Sequence, residues 1–117
     1  MATTTINGVN FTQVGKEALD AVRLMLDDPS TWKSLKDILQ NVADGLTADI
    51  KFIARKQLGG EFNEDDARVY LEDQKTIARV RIRSVAIITL QLAEKVLNAL
   101  LDVFRGAARK ALGWTVL

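Results

Sequence analysis

No glycine or proline interrupts the chain between Gly60 and Gly106. A backbone with no helix breaker over about 40 residues is pushed toward one continuous helix, on the order of 60 Å long at the helical rise. Its start is well marked. Asn63 is placed to cap it, and Glu64, Asp65 and Asp66 fill the first turn, where the positive end of the helix dipole favours carboxylates. Phe62, just before the cap, occupies the position of a hydrophobic staple. The run Arg79-Val80-Arg81-Ile82-Arg83 alternates like a strand, but no turn signal flanks it, so the helical reading is preferred.

Upstream, Val14, Ala18, Leu19, Val22, Met25 and Leu26 recur at helical spacing and predict a first helix from Thr12 to Asp27. Asp28-Pro29 then supplies an N-cap and a first-turn proline for a second helix. That helix runs to Leu58 over about 27 residues, with a stripe through Trp32, Leu35, Ile38, Leu39, Val42, Leu46, Ile50, Ile53 and Leu58. Gly45 lowers the propensity by about 1 kcal/mol and admits a bend there. Gly59-Gly60 stops the helix by permitting left-handed backbone. The expected fold is all-α: an elongated helical bundle with an extended N-terminal arm (1–11), a short first helix and a second helix (12–58), a long third helix (63–112) antiparallel to the second, and an apolar C-terminal tail (113–117).

Composition narrows the chemistry. The chain of 117 residues contains neither cysteine nor histidine. Thiolate metal sites, disulfides and cysteine nucleophiles are thereby excluded, and the commonest general base is missing. No glycine-rich phosphate loop or nucleophile elbow occurs. The acidic pairs Asp27-Asp28, Asp65-Asp66 and Glu72-Asp73 fall at helix ends or on an exposed face. Residues 61, 63, 65 and 72 touch the spacing of a calcium loop, but Asp66 stands where the sharp turn needs glycine. The expectation is a protein that is not an enzyme and holds no cofactor or metal.

The long helix carries two apolar stripes. Ala78, Ile82, Val85, Thr89, Leu92, Val96, Ala99 and Val103 form a 3.5-residue seam of the coiled-coil type, continued by Gly106. Ile87, Leu90, Leu97, Leu100, Leu101 and Phe104 form the second. The third helix would overhang the second by roughly 25 Å at the helical rise. An overhang with two apolar faces is too large a patch for a soluble monomer, so the seam is the expected oligomer interface; the alternative is that helices 1 and 2 cover both stripes within one compact bundle.

Other residues carry narrower expectations. Arg81 projects toward apolar surface and would need a partner in a buried ion pair, supplied in part by another subunit. Lys75, Arg79 and Arg83 lie on one helical stripe that can contact phosphate or an acidic partner; a solvated face explains them as well. In the arm, Ile6, Val9 and Phe11 are anchors for a neighbouring subunit, the alternative being a fold-back near Trp32 or Trp114. The C-terminal segment Arg105–Trp114 mixes small, basic and aromatic residues that can lie on an anionic membrane or cap the helix dipole.

The Met1–Asn10 stretch lacks the basic start and apolar run of a signal peptide. The longest uncharged stretch of the apolar region, Ser84 to Ala93, is about half a membrane span. A Thr-rich opening (Met1 to Asn10), a long Ile/Val/Leu/Ala-rich helix (Thr76 to Leu112) and an apolar tail resemble the small helical structural proteins of bacteriophage particles, those of the portal, tail or ejected set. That resemblance implies assembly into rings or bundles with itself and with other particle proteins, in the host cytoplasm and then the virion. The leading expectation is therefore a self-assembling structural protein. A small regulatory or adaptor bundle binding one protein partner is the first alternative, and a membrane-active amphipathic protein the second; nucleic acid is a further candidate partner through the basic stripe.

Overall fold

A computed structural model describes residues 4–85 and 88–117. A hairpin of β1 (Thr5–Ile6) and β2 (Val9–Asn10) leads into four helices: α1 (Phe11–Met25), α2 (Pro29–Leu58), α3 (Glu64–Arg83) and α4 (Leu90–Leu112). The all-α expectation holds, but the long third helix does not. It is two helices, and α4 folds back beside α3. Glycine and proline are not the only way to stop a helix. The linking sequence is uncharged and β-branched, a poor helix former, and Thr89 in extended backbone accepts a hydrogen bond from the Leu92 amide at 3.1 Å as the N-cap of α4. The position of Ile87 in the second stripe lies outside the described residues.

Each helix start follows the capping chemistry of its sequence. Asn10 caps α1 and Asp28 caps α2, with Pro29 in the first turn. The Ser30 amide and hydroxyl hold the Asp28 carboxyl below its usual range. Asn63 and Asp66 form a reciprocal capping box, with amide-to-carbonyl or carboxylate distances of 2.8 and 3.1 Å. Gly45 leaves α2 unbroken. At 30 residues, α2 is about 45 Å long by the helical rise, and it spans the 45 Å long axis of the molecule. Phe62, just before the Asn63 cap, packs its ring on Phe52 and Tyr70, with centroids 5.9 and 6.3 Å away.

Polar contacts fix the topology. Arg81 near the end of α3 reaches Asn41 in α2, and Tyr70 near its start reaches Asp49, so α2 and α3 are antiparallel. Arg79 holds Glu94 across the α3–α4 turn. Phe11 at the start of α1 stacks on Phe104 near the end of α4, at 6.3 Å between centroids. The helices therefore alternate up and down, α1 and α3 each lying against α2 and α4. Leu35, Leu39, Ile50, Ile53, Leu71, Ile82, Leu97, Leu100 and Phe104 fill the core, and among the described residues no polar or charged one is buried. The overhang inferred from a continuous third helix vanishes, because α1 and α2 cover much of what it would have exposed.

The N-terminal arm also differs from expectation. Asn7 and Gly8, at φ 48° and 82°, form the two-residue left-handed turn of a tight hairpin. Within the chain the arm is a hairpin and not an extended segment. Ile6 and Phe11 are buried in the chain's own core and Val9 packs against it. Asn7 Nδ2 donates to the Ala111 carbonyl at 2.8 Å. Removing residues 1–10 is thus expected to destabilise the isolated chain by about 2–4 kcal/mol, the sum of a lost N-cap and a lost buried isoleucine. Denaturant unfolding with an unchanged midpoint would contradict that seat for the arm.

Candidate functional site

The predicted seam is divided by the fold. Ala78, Ile82 and Val96 are buried in the chain's own core. Val85, Leu92, Ala99 and Val103 are half-buried, and Thr89 is exposed as the cap of α4. Leu92, Ala99, Val103 and Gly106 keep one stripe along α4, on its flank toward α1. There an open groove of about 730 Å³ is lined by Val9, Val14, Glu17, Val103, Gly106 and Lys110. Nothing lies within 4 Å of the position a Gly106 Cβ would take, so the groove floor is open at that point. Gln13 also lines the groove. Leu24 lies on the same α1 stripe, at helical steps from Gln13 and Glu17, and is 81% exposed.

The charged residues singled out from sequence are held mostly by neighbours. Lys75 Nζ pairs with Glu72 at 2.7 Å. Arg79 Nε donates to both carboxylate oxygens of Glu94, at 3.0 and 3.2 Å. Arg83, near the α3 terminus, is exposed. The stripe expected to meet phosphate is thus largely spent on linking turns and helices. Arg81 is exposed, not buried, and its Nη1 donates to Asn41 Oδ1 at 3.0 Å. The reason is positional: Arg81 lies at the edge of the α2–α3 contact, where a long side chain reaches out over the neighbouring helix.

The residues of the calcium-like spacing are also engaged. Glu61 pairs with Lys56, Asp65 with Arg68, and Asp66 serves the capping box. Glu64 accepts from the Thr115 amide at 2.9 Å. Arg68 donates to the Thr115 carbonyl, Gln57 to that of Leu112, and Arg105 to that of Leu117. Val116 is buried and Trp114 half-buried, so the apolar tail folds onto the chain. No helix among the described residues is long and apolar enough to cross a membrane.

Sequence reasoning missed two features. One is the pairing of Tyr70 Oη with Asp49 Oδ1 at 3.1 Å, beside the Phe52–Tyr70 stack. Burial pushes the Asp49 carboxyl up, against the opposing effects of the Tyr70 hydrogen bond and Arg81. Burial and the adjacent Asp49 push the Tyr70 phenol up. The other is an apolar ridge on the outer face of α3: Val69, Ile77 and Val80 are 65%, 43% and 62% exposed. Its signal was present as helical spacing, but periodicity does not say which apolar face the fold covers.

No protein-family model, curated protein or solved structure matches this chain.

A carboxyl raised in the folded state binds its proton more tightly there than in the unfolded chain. Its stabilising share is present in acid and is lost as pH rises through the folded value. Asp49→Asn keeps an acceptor for Tyr70 and removes the cost of a half-buried charge. The variant should therefore unfold at a higher temperature than the parent at neutral pH, with the gap closing in acid. A gap that is constant with pH would show that the Asp49 charge carries no such cost.

Proposed function

We propose that this protein is a non-enzymatic structural component that self-associates through the flank formed by α1 and α4, within a larger particle. The observation that carries the reading is the groove itself. Val103 of the seam forms its wall, Gly106 extends the seam with no side chain, and Leu24 stands exposed on the same flank. An apolar knob and an apolar hole on one face suit a second copy, because each copy can supply both. Glu17 and Lys110 add opposite charges along the groove, which favours one orientation over others. Covering one leucine contributes about 1.5–3 kcal/mol.

The interface proposed here keeps the α4 part of the expected seam: Leu92, Ala99 and Val103, with Gly106. Ala78, Ile82 and Val96 act in the core of each copy. The wider setting is a particle of the phage-virion kind, assembled in the host cytoplasm with other particle proteins; the resemblance in sequence style supports it.

Sedimentation at high micromolar concentration tests the self-association. The parent is expected to form a defined oligomer. Leu24→Asp and Val103→Asp should each weaken it about tenfold or more, as charges placed at a desolvated contact do. Leu24 is so exposed that its substitution leaves the fold intact, so a lower mass reports the interface. A parent chain that stays monomeric at these concentrations overturns the reading in favour of a single-partner adaptor.

A further inference from the structure

The outer face of α3 combines an uncovered apolar ridge with a charge gradient. Val69, Ile77 and Val80 are three of the six large apolar side chains most exposed among the described residues. They lie with Asp73 and Thr76 at helical steps, opposite the buried Ala67, Leu71, Ala78 and Ile82. Isolated exposed valines need no explanation. Two apolar points, Val69 and Val80, on one line of a 20-residue helix with Asp73 and Thr76 between them and Ile77 beside them are a different matter, because they offer paired contacts to a second helix.

Charge then selects the occupant. The first half of α3 carries Glu64, Asp65, Asp66, Glu72 and Asp73 against Arg68 alone. The second half carries Lys75, Arg79, Arg81 and Arg83 and no acid. A parallel copy would set acid on acid and base on base. An antiparallel copy sets each half against its opposite, so this helix is electrostatically complementary to itself in one orientation.

We propose that α3 pairs with α3 of a second copy, antiparallel, about a two-fold axis passing between Asp73 and Thr76. Positions whose numbers are symmetric about that point then face one another. Val69 packs on Val80 of the second copy, and the reverse contact follows by symmetry. On one flank Asp65 comes within one residue step of Arg83 of the second copy. The pair that Asp65 makes with Arg68 within one chain is surface-exposed and can be exchanged at little cost. One helix pair buries less than the 1,200–2,000 Å² or so of a stable interface, so the contact is a weak one that acts beside another. It rests on the self-association proposed above and gives it a second, separate face.

The chain has no cysteine, which permits a clean test. Within one chain, positions 69 and 80 stand about 16 Å apart along the helix, too far for a disulfide, which needs Cα atoms about 4.4–6.8 Å apart. The double variant Val69→Cys/Val80→Cys, mildly oxidised, is expected to give a covalent dimer. Either single variant, whose thiol faces a valine, is expected to remain uncrosslinked under the same conditions. Singles that cross-link as readily as the double, or a double that does not cross-link, overturn the pairing.

Sedimentation supplies the second arm. Arg83→Glu should weaken the contact about three- to tenfold, and Asp65→Lys added to it should restore most of the loss, as expected of exposed ion pairs. Absence of restoration counts against the register. The two proposals fail in different ways. An oligomer abolished by Leu24→Asp but indifferent to Val80→Asp removes the α3 pairing and leaves the flank interface standing. An oligomer with the opposite sensitivity removes the flank interface and keeps α3. A parent that is monomeric throughout, with no cross-link, removes both.

Discussion

The fold depends on the chain reversal between Arg83 and Leu90. A helix continuing from α3 through α4 would carry two apolar faces with nothing to lie against. Ending α3 and restarting at Thr89 turns those faces inward, one from each helix, and lets α2 act as the common support. Arg79 and Glu94 join the two helices just below the turn. Once α4 lies antiparallel to α3, its other side is open to α1, and Phe11 meets Phe104. The hairpin can then find its seat at the end of α4. Each of these contacts presupposes the reversal, although the segment that makes it has no turn residue of the usual kind.

Much of the bundle was legible in local chemistry. Asp28-Pro29 and Asn63 with its first-turn acids mark helix starts that the structure reproduces, and Gly59-Gly60 marks a stop. These are signals in which a side chain satisfies the backbone groups nearest to it. The break before Thr89 was not legible in that way. Threonine in the middle of an apolar run serves equally as a seam residue or as a cap, and only the burial gained by folding back decides between them. Likewise the alternation of Ala78, Ile82, Leu92, Val96, Ala99 and Val103 tells correctly that one side of each helix is apolar. It cannot say that Ile82 and Val96 will be covered by their own chain while Val103 is covered only in part.

The pole of the molecule holding the chain ends is closed by side chains donating to the end of α4 and the tail beyond it. Asn7, Gln57 and Arg68 reach the carbonyls of Ala111, Leu112 and Thr115. The last carbonyls of a helix have no partner within it. Here those of Ala111 and Leu112 are met by Asn7 of the hairpin and Gln57 of α2, and Arg68 of α3 meets the tail just beyond, so this end of the chain gathers three otherwise separate segments. Gly113, at φ 73°, turns the chain out of the helix and allows Val116 to return to the core. None of these pairings has a local sequence signature, since the partners are distant in the chain.

An even number of alternating helices brings Thr4 and Leu117 to the same pole, with α1 and α4 adjacent and antiparallel. Tension between Thr4 and Leu117 would load their own hydrogen bonds to Thr12, Phe11 and Arg105 first, and then the Asn7 contact and the Phe11–Phe104 stack, peeling α1 from α4 one contact at a time. Three helices, as the uninterrupted reading of the sequence implied, would have set the ends at opposite poles, where the same tension shears all the contacts together. Peeling needs far less force than shear.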